Sequence, residues 1–261
     1  MIEVLVNGAC GRMGSTVANA VREAEDLHLA ACVDIHAASP EGGDTYLGTP
    51  YFKGLQTALE AIKPDVVVDF THPSVVADNI RTALAAGVAT VVGTTGLSEE
   101  TLAELSAAAP EVPLFVAPNF TTGAVLMMAF SAVAAKYFPD CDIIELHHDG
   151  KADAPSGTAI RTARMIAANR VQASTAPGKE TELDGYEGAR GADVDGVHVH
   201  SVRTAGHVAS QEVIFGSLGQ TLTIRHDSID RASYMPGVLL AVREVRKHPG
   251  LTVGLEKLMD L

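Results

Sequence analysis

A strand–loop–helix unit at the start of the chain restricts its fold more than any other feature. Residues 2–6 form a short apolar run, followed by Gly8-Ala9-Cys10-Gly11-Arg12-Met13-Gly14 and then a stretch with Val17 and Val21 one helical turn apart. Small residues at this spacing let the backbone approach a pyrophosphate, and the N-terminus of the following helix favours its charge. A second apolar run, residues 29–33, ends at Asp34. That is about 20 residues past the loop, where a carboxylate can hydrogen-bond an adenosine ribose. A glycine-rich turn in a nucleotide-free protein would account for the loop alone, but not for the strand, helix and acidic residue around it.

The alternation continues. Strands are predicted at 65–70, 88–92 and 114–117. Ser74 opens a predicted helix that stops at Gly87, and Ser98 caps another with Glu99 and Glu100 in its first turn. Residues 35–54, rich in Gly, Pro, Ser and Thr, read as a surface loop. This order predicts an α/β fold built on a Rossmann-like, doubly wound parallel sheet. Gly93-Thr94-Thr95-Gly96 and Ala117-Pro118-Asn119-Phe120 follow strands at the carboxyl edge where open sheets bind ligands. Turn chemistry explains either segment alone equally well.

Beyond Pro118 the pattern changes. A long apolar helix covers 123–138, a strand 142–147 and a helix 156–169. Residues 171–196 read as an ordered polar loop or lid, and strands follow at 197–204, 208–216 and 221–226. This predicts a second α+β domain with an open mixed sheet. A final helix, 236–247, fits either half by pattern alone.

The most informative chemistry lies where the two patterns of the second half meet. His147-His148-Asp149-Gly150-Lys151 runs into Asp153-Ala154-Pro155-Ser156-Gly157-Thr158. Adjacent histidines at a strand end point in opposite directions. The imidazoles and the ammonium can move protons or hold anions. A helix opening at Ser156 offers backbone N–H groups to a carboxylate. A solitary histidine is more often structural; the compression of this array favours catalysis. A competing reading is a metal site formed by His147, His148, His198 and His200. A catalytic metal wants three well-placed ligands, and adjacent histidines suit one ion poorly, so no metal is expected.

The formal net charge of -13 over 261 residues argues against a nucleic-acid partner. It also requires a local concentration of positive charge around any anionic ligand. Cys10, Cys32 and Cys141 fit neither a zinc knuckle nor a disulfide framework. No apolar run approaches the ~20 residues that span a membrane, and no leader segment precedes the first strand. A reducing cytoplasm is the expected compartment, with no membrane partner.

Together these motifs resemble the dihydrodipicolinate reductase (4-hydroxy-tetrahydrodipicolinate reductase) family. The most specific part is Glu145-Leu146-His147-His148 through Lys151 to Asp153-Ala154-Pro155-Ser156-Gly157-Thr158-Ala159. Asp69-Phe70-Thr71, Val92-Gly93-Thr94-Thr95-Gly96, Ala117-Pro118-Asn119-Phe120 and Arg190-Gly191-Ala192-Asp193-Val194-Asp195-Gly196 support it. The resemblance implies reduction of a cyclic imine dicarboxylate in diaminopimelate and lysine biosynthesis. Hydride goes to C4 and the resulting enamine is protonated. It implies His147 and Lys151 as the proton-handling pair, with His148, Ser156, Gly157 and Thr158 binding substrate. It implies Gly8, Ala9, Cys10, Gly11, Arg12, Met13, Asp34, Gly93, Thr94, Thr95, Ala117, Pro118, Asn119 and Phe120 as cofactor contacts. It further implies a homotetramer, domain closure over both ligands, and a last helix returning to the first domain. The expected division is therefore 1–118 with 231–261 for dinucleotide binding, and 119–230 for substrate binding and oligomerisation.

The cofactor is NADH or NADPH. Asp34 repels a 2′-phosphate, and Ile35 stands where some family members carry arginine, so NADH is favoured. Arg12 is the nearby sequence candidate to offset Asp34. Asp149-Gly150, where relatives often carry bulkier or basic residues, makes the site less positive. Two other functions remain open: a dehydrogenase of a small amino dicarboxylate such as aspartate, and a non-catalytic NADH-sensing module.

Overall fold

The structure, a computed structural model, describes residues 1–38, 43–170, 188–259 and 261. It divides into two compact units, 1–122 with 234–261 and 123–233.

In the first unit, β1 (Ile2–Asn7), β2 (Leu27–Val33), β3 (Asp44–Tyr46), β4 (Thr49–Phe52), β5 (Val66–Asp69), β6 (Ala89–Val92), β7 (Leu114–Val116) and β13 (Leu251–Val253) form one sheet. Its order is β13-β7-β6-β5-β1-β2-β4-β3, and every pairing is parallel except β3 with β4. The central strands are apolar throughout because helices bury both faces of a parallel sheet. Helices α1 (Arg12–Glu23), α2 (Leu55–Ala61), α3 (Val76–Ala85), α4 (Glu99–Ala108) and α7 (Met235–Glu244) supply that cover. One cluster joins Leu5, Val33, Phe52, Leu59 and Val67; another joins Val76, Ile80, Leu105 and Leu114. The order of strands reverses beside β1, which places a ligand crevice at the carboxyl ends of β1, β2 and β5.

Several local readings change. The segment expected as a loop, 35–54, contains β3 and β4. Phe52 pairs with Val33, and its carbonyl accepts the Asp34 N–H at 3.0 Å. Helix α2 carries no strong sequence signal and forms by burying Leu55, Ala58 and Leu59. Ser74 is not a cap: the His72 carbonyl already accepts the N–H groups of Val75 and Val76, and the Ser74 hydroxyl meets His72 Nδ1 instead. Ser98 does cap α4, accepting from Thr101 N–H at 3.1 Å.

Helix α7 belongs to the first unit, where Arg243 grips Asp26 through two hydrogen bonds of 2.7 and 2.8 Å. The break between units falls after Thr122 rather than at residue 118. Phe120 explains the difference, because its ring packs at 5.8 and 5.9 Å from those of Phe70 and Phe115.

In the second unit, β8 (Asp140–His147), β9 (Ala192–Val194), β10 (Val197–Arg203), β11 (Ala209–Ser217) and β12 (Gln220–Ser228) form a mixed sheet of order β12-β11-β8-β10-β9. Strand β8 is parallel to β10 and antiparallel to β11. Helix α5 (Thr122–Ala134) precedes β8, and α6 (Gly157–Asn169) follows it. Helix α6 buries Ala159, Thr162, Ala163 and Ile166, the spacing of one helical face. Strand β9 lies within the segment expected as a loop or lid. Residues 171–187 of that segment lie outside the described residues.

Candidate active site

Two regions carry the predicted chemistry, one in each unit. In the first unit a cavity of about 550 Å³ opens where β1, β2, β4 and β5 end. Gly8, Cys10, Gly11 and Asp34 line it, together with Ile35, His36, Lys53 and Thr71. Gly8 adopts φ +81, and a Cβ there would overlap the Phe70 carbonyl. A Cβ on Gly14 would overlap the Gly8 carbonyl, so glycine is needed for α1 to sit this close to the loop. Gly11 caps α1 without a side-chain hydrogen bond. The first turn of α1 therefore faces outward with donors that an anion can use.

Asp34 is nearly buried, at 9% exposure. It accepts the N–H groups of Cys10 at 2.9 Å and His36 at 3.2 Å. The carboxylate thus fixes the glycine loop while standing at the cavity wall. The Cys10 thiol and the Tyr51 hydroxyl, 2.9 Å apart, tie the same loop to β4. These features suit the adenosine and pyrophosphate part of a dinucleotide: a cradle without side chains, a helix start and a carboxylate beside it.

The remaining predicted contacts are placed differently. Arg12 is exposed and Met13 half-buried at the start of α1, and neither lines the cavity. Ala9, Ala117 and Phe120 are buried in the core, so only their backbone can face a ligand. Thr94 donates to Asp69 at 2.9 Å. Asp69 also accepts from Asn7, Thr71 and Asn79, which binds the ends of β1, β5 and β6 together. Gly93 packs against the Phe70 ring, where a Cβ would not fit. Thr95 and Pro118 are exposed, and Asn119 accepts the Thr121 N–H at 2.8 Å.

Lys53 is the residue that sequence distance concealed. Strand β4 carries it to the cavity wall that Asp34 also lines. His36 lines the same wall, with Nε2 4.0 Å from the Asp34 carboxylate. Lys53 and His36 thus bring one cation and one potential cation to that wall, which Arg12 does not line.

In the second unit the histidine segment is organised by Glu145. Strand period 2 puts Cys141, Ile143 and Glu145 on the buried face of β8, with His147 ending the series. Glu145 is fully buried. Its carboxylate accepts from Arg203 at 2.8 and 2.9 Å, from His147 Nδ1, and from the Ser156 N–H at 3.2 Å. Burial pushes the Glu145 carboxyl up, but the hydrogen bonds from Arg203, Ser201 and His147 outweigh it and hold the group below its ordinary value. Burial pushes the His147 imidazole down further than Glu145 raises it, and the charges of Lys151 and Arg203 add to the lowering. Its Nδ1 faces the Glu145 carboxylate, which leaves Nε2 as the ring nitrogen turned away from that carboxylate.

Lys151 Nζ sits 2.7 and 2.9 Å from the two oxygens of Asp153. This ion pair places an ammonium within the same segment and holds the Asp153 carboxyl below its usual range. His148 is exposed, as opposite pointing requires. Ser156 caps α6 by accepting the Ala159 N–H at 3.2 Å. The exposed Gly157 and half-buried Thr158 begin that helix. An imidazole, an ammonium and a helix N-terminus thus occupy one short segment. That set can transfer protons to a carboxylate ligand held at the helix start.

The histidines considered as metal ligands do not converge. His147 bonds Glu145 and His200 bonds Asp142 at 3.0 Å. Among the described residues no group of three or more His, Cys, Asp or Glu is placed to hold a metal. No helix among the described residues is long and apolar enough to cross a membrane.

Comparison with known proteins agrees with this picture. Residues 2–120 match the family model "Dihydrodipicolinate reductase, N-terminus", and residues 123–259 match "Dihydrodipicolinate reductase, C-terminus". The chain is 51% identical to 4-hydroxy-tetrahydrodipicolinate reductase of Mycolicibacterium vanbaalenii, with 100% of both chains covered. It is 46% identical to the enzyme of that name from Desulfitobacterium hafniense, with 99% of both covered. Dipicolinate-bound dihydrodipicolinate reductase from Paenisporosarcina sp. TG-14 superposes with a TM-score of 0.87 at 41% identity, over 98% of this chain and 99% of that one. An amine dehydrogenase from Mycobacterium smegmatis, at 15% identity and a TM-score of 0.67, shares the fold alone. Two family models that together cover nearly the whole chain, with relatives of this identity, establish that the chain belongs to the dihydrodipicolinate reductase family.

Proposed function

We propose that the chain reduces 4-hydroxy-tetrahydrodipicolinate to tetrahydrodipicolinate in diaminopimelate and lysine biosynthesis. The observation that carries this reading is the segment from Glu145 to Thr158, where His147 and the start of α6 are both hydrogen-bonded to one buried carboxylate and Lys151 pairs with Asp153.

The nicotinamide cofactor of the family supplies a hydride when bound. In the first unit, Gly8 to Met13 and Asp34 bind its adenosine and pyrophosphate part, while Gly93 to Thr95 and Ala117 to Phe120 line the rest. Asp34 and Ile35 favour NADH; Lys53 and His36 allow NADPH as well. In the second unit, His148, Ser156, Gly157 and Thr158 hold the substrate carboxylates. The substrate loses its hydroxyl as water, hydride adds at C4, and the enamine that remains takes a proton on carbon. Lys151, paired with Asp153, and His147, paired with Glu145, are the groups that handle that proton. No step is assigned to a metal. The second unit also supplies the oligomer contacts of a homotetramer, consistent with the exposed Leu218 and Leu222 on the β11–β12 hairpin. This chemistry fits the cytoplasm, where both cofactors are available.

The decisive experiment follows the loss of reduced-nicotinamide absorbance with 4-hydroxy-tetrahydrodipicolinate as substrate. Wild type turns over, and Lys151→Ala lowers kcat by roughly 10²–10⁴-fold. A wild-type protein that binds NADH but never oxidises it with this substrate would support the sensing reading instead.

A further inference from the structure

Buried ionised carboxylates are costly unless every oxygen is paired, so the placement of Glu145 asks for a reason beyond packing. It sits at 0% exposure in an apolar strand series and is paired on both oxygens. Its partners come from three segments. His147 is on its own strand, Arg203 ends β10, and Ser156 opens α6. Arg203 extends the network, donating to the Asp153 carbonyl at 2.6 Å and the Val202 carbonyl at 2.8 Å. One carboxylate therefore touches the imidazole, the residue capping the anion-holding helix and, through Arg203, the loop that carries Lys151.

We infer that Glu145, clamped by Arg203, is a positioning residue that sets the His147 tautomer and fixes the imidazole relative to the Ser156–Thr158 turn. This rests on the reading of His147 as a proton-handling group.

The chemistry of the acceptor makes the case. An ionised carboxylate only accepts, so the imidazole nitrogen facing it must carry the proton. Nε2 is then unprotonated in the neutral ring and can take a proton from substrate or from Lys151. Without Glu145 neither tautomer is enforced. Three charged groups face His147: Glu145 from β8, Lys151 from the following loop and Arg203 from β10. On the other side β11 presents Ala209, which carries no charge. Glu145 is the one group of the three that favours the imidazolium. It therefore supports the charge that His147 acquires during proton transfer, against two cations that oppose it.

Glu145→Gln isolates the effect. Arg203 requires an acceptor, so the single amide oxygen turns to the guanidinium and the amide NH₂ faces His147 Nδ1. The tautomer is expected to invert, with Nε2 protonated. Nitrogen NMR of labelled histidine in the cofactor-free protein reads this directly, without turnover. Wild type should show protonated Nδ1 and the variant protonated Nε2. In kinetics, kcat should fall on the order of 10³–10⁴-fold, as when the equivalent carboxylate of a serine-protease triad is made an amide. The KM for the dicarboxylate should change less, and the His147 limb of the pH profile should move to lower pH.

An unchanged tautomer and pH limb, alongside a fall in kcat that tracks lost thermal stability, would reduce Glu145 to a structural role. Should the variant fail to fold, the wild type still decides. A neutral His147 with protonated Nε2 contradicts the inference, and one with protonated Nδ1 upholds it. Failure of the proposed function itself would appear separately, as absent turnover in a wild type that has the expected tautomer.

Discussion

Asp34 shows how one residue can serve two ends. Its carboxylate already holds the Cys10 and His36 N–H groups, so it is ordered without a ligand, and its proposed second end is a ribose. Asp34→Ala should weaken NADH by roughly 10–100-fold, from the loss of charge-assisted hydrogen bonds, and NADPH by less. Lys53→Ala should weaken NADPH by roughly two- to fivefold, the size expected of an exposed ion pair, and leave NADH unchanged. Equilibrium titration of each nucleotide checks both; equal loss of the two nucleotides in either variant would refute the assignment. The glycine loop and Asp34, which line one cavity, and the His147–Lys151 segment could be picked out in the sequence because their motifs are local. Arg203 could not. It lies 58 positions from Glu145 and reaches it only because β10 pairs in parallel with β8, a register no local pattern states. Lys53 was hidden in the same way by the pairing of β4 with β2.

Among the elements, two helix starts were readable, the one at Ser74 was not, and short edge strands were the least readable. Ser98 and Ser156 both cap as their sequence context predicts, since an N-cap depends on nearby backbone alone. Strands β3 and β4 lie in a stretch whose composition signals a loop; β2 and burial of Tyr51 and Phe52 make β4 a strand. The capping serine of α6 carries a testable load. Ser156→Ala should cost about 1 kcal/mol of stability and fray the first turn, where Gly157 and Thr158 are proposed to hold substrate. Its KM for the dicarboxylate should rise more than its kcat falls. A lower melting temperature with an unchanged KM would show that this turn does not hold substrate.

For the whole molecule, acid should be the weak direction. His147 and His226 are both pushed down by burial. Glu145 and Asp153 are held low by their partners, and Asp227 is held at about 2 by Arg225 and Ser210. In every case the unfolded chain binds protons more readily than the folded one, so stability falls with pH. The histidine contribution is complete above the ordinary value of about 6.5 and declines below it; the carboxylates follow from about 4.5 downward. Thermal melts should show a flat midpoint between about pH 7 and 8 and a progressive drop below about 6.5. A midpoint that rises on mild acidification would contradict these shifts. The cysteines give the molecule a different kind of handle. Cys32 and Cys141 are buried, and burial pushes both thiols up to about 12, whereas Cys10 is exposed inside the glycine loop. Cys10 is therefore the one exposed thiol of the three, and it lines the cavity proposed for the dinucleotide. The rate of maleimide labelling becomes a direct gauge of nucleotide occupancy: saturating NADH should slow it several-fold, with no engineered reporter and no turnover required.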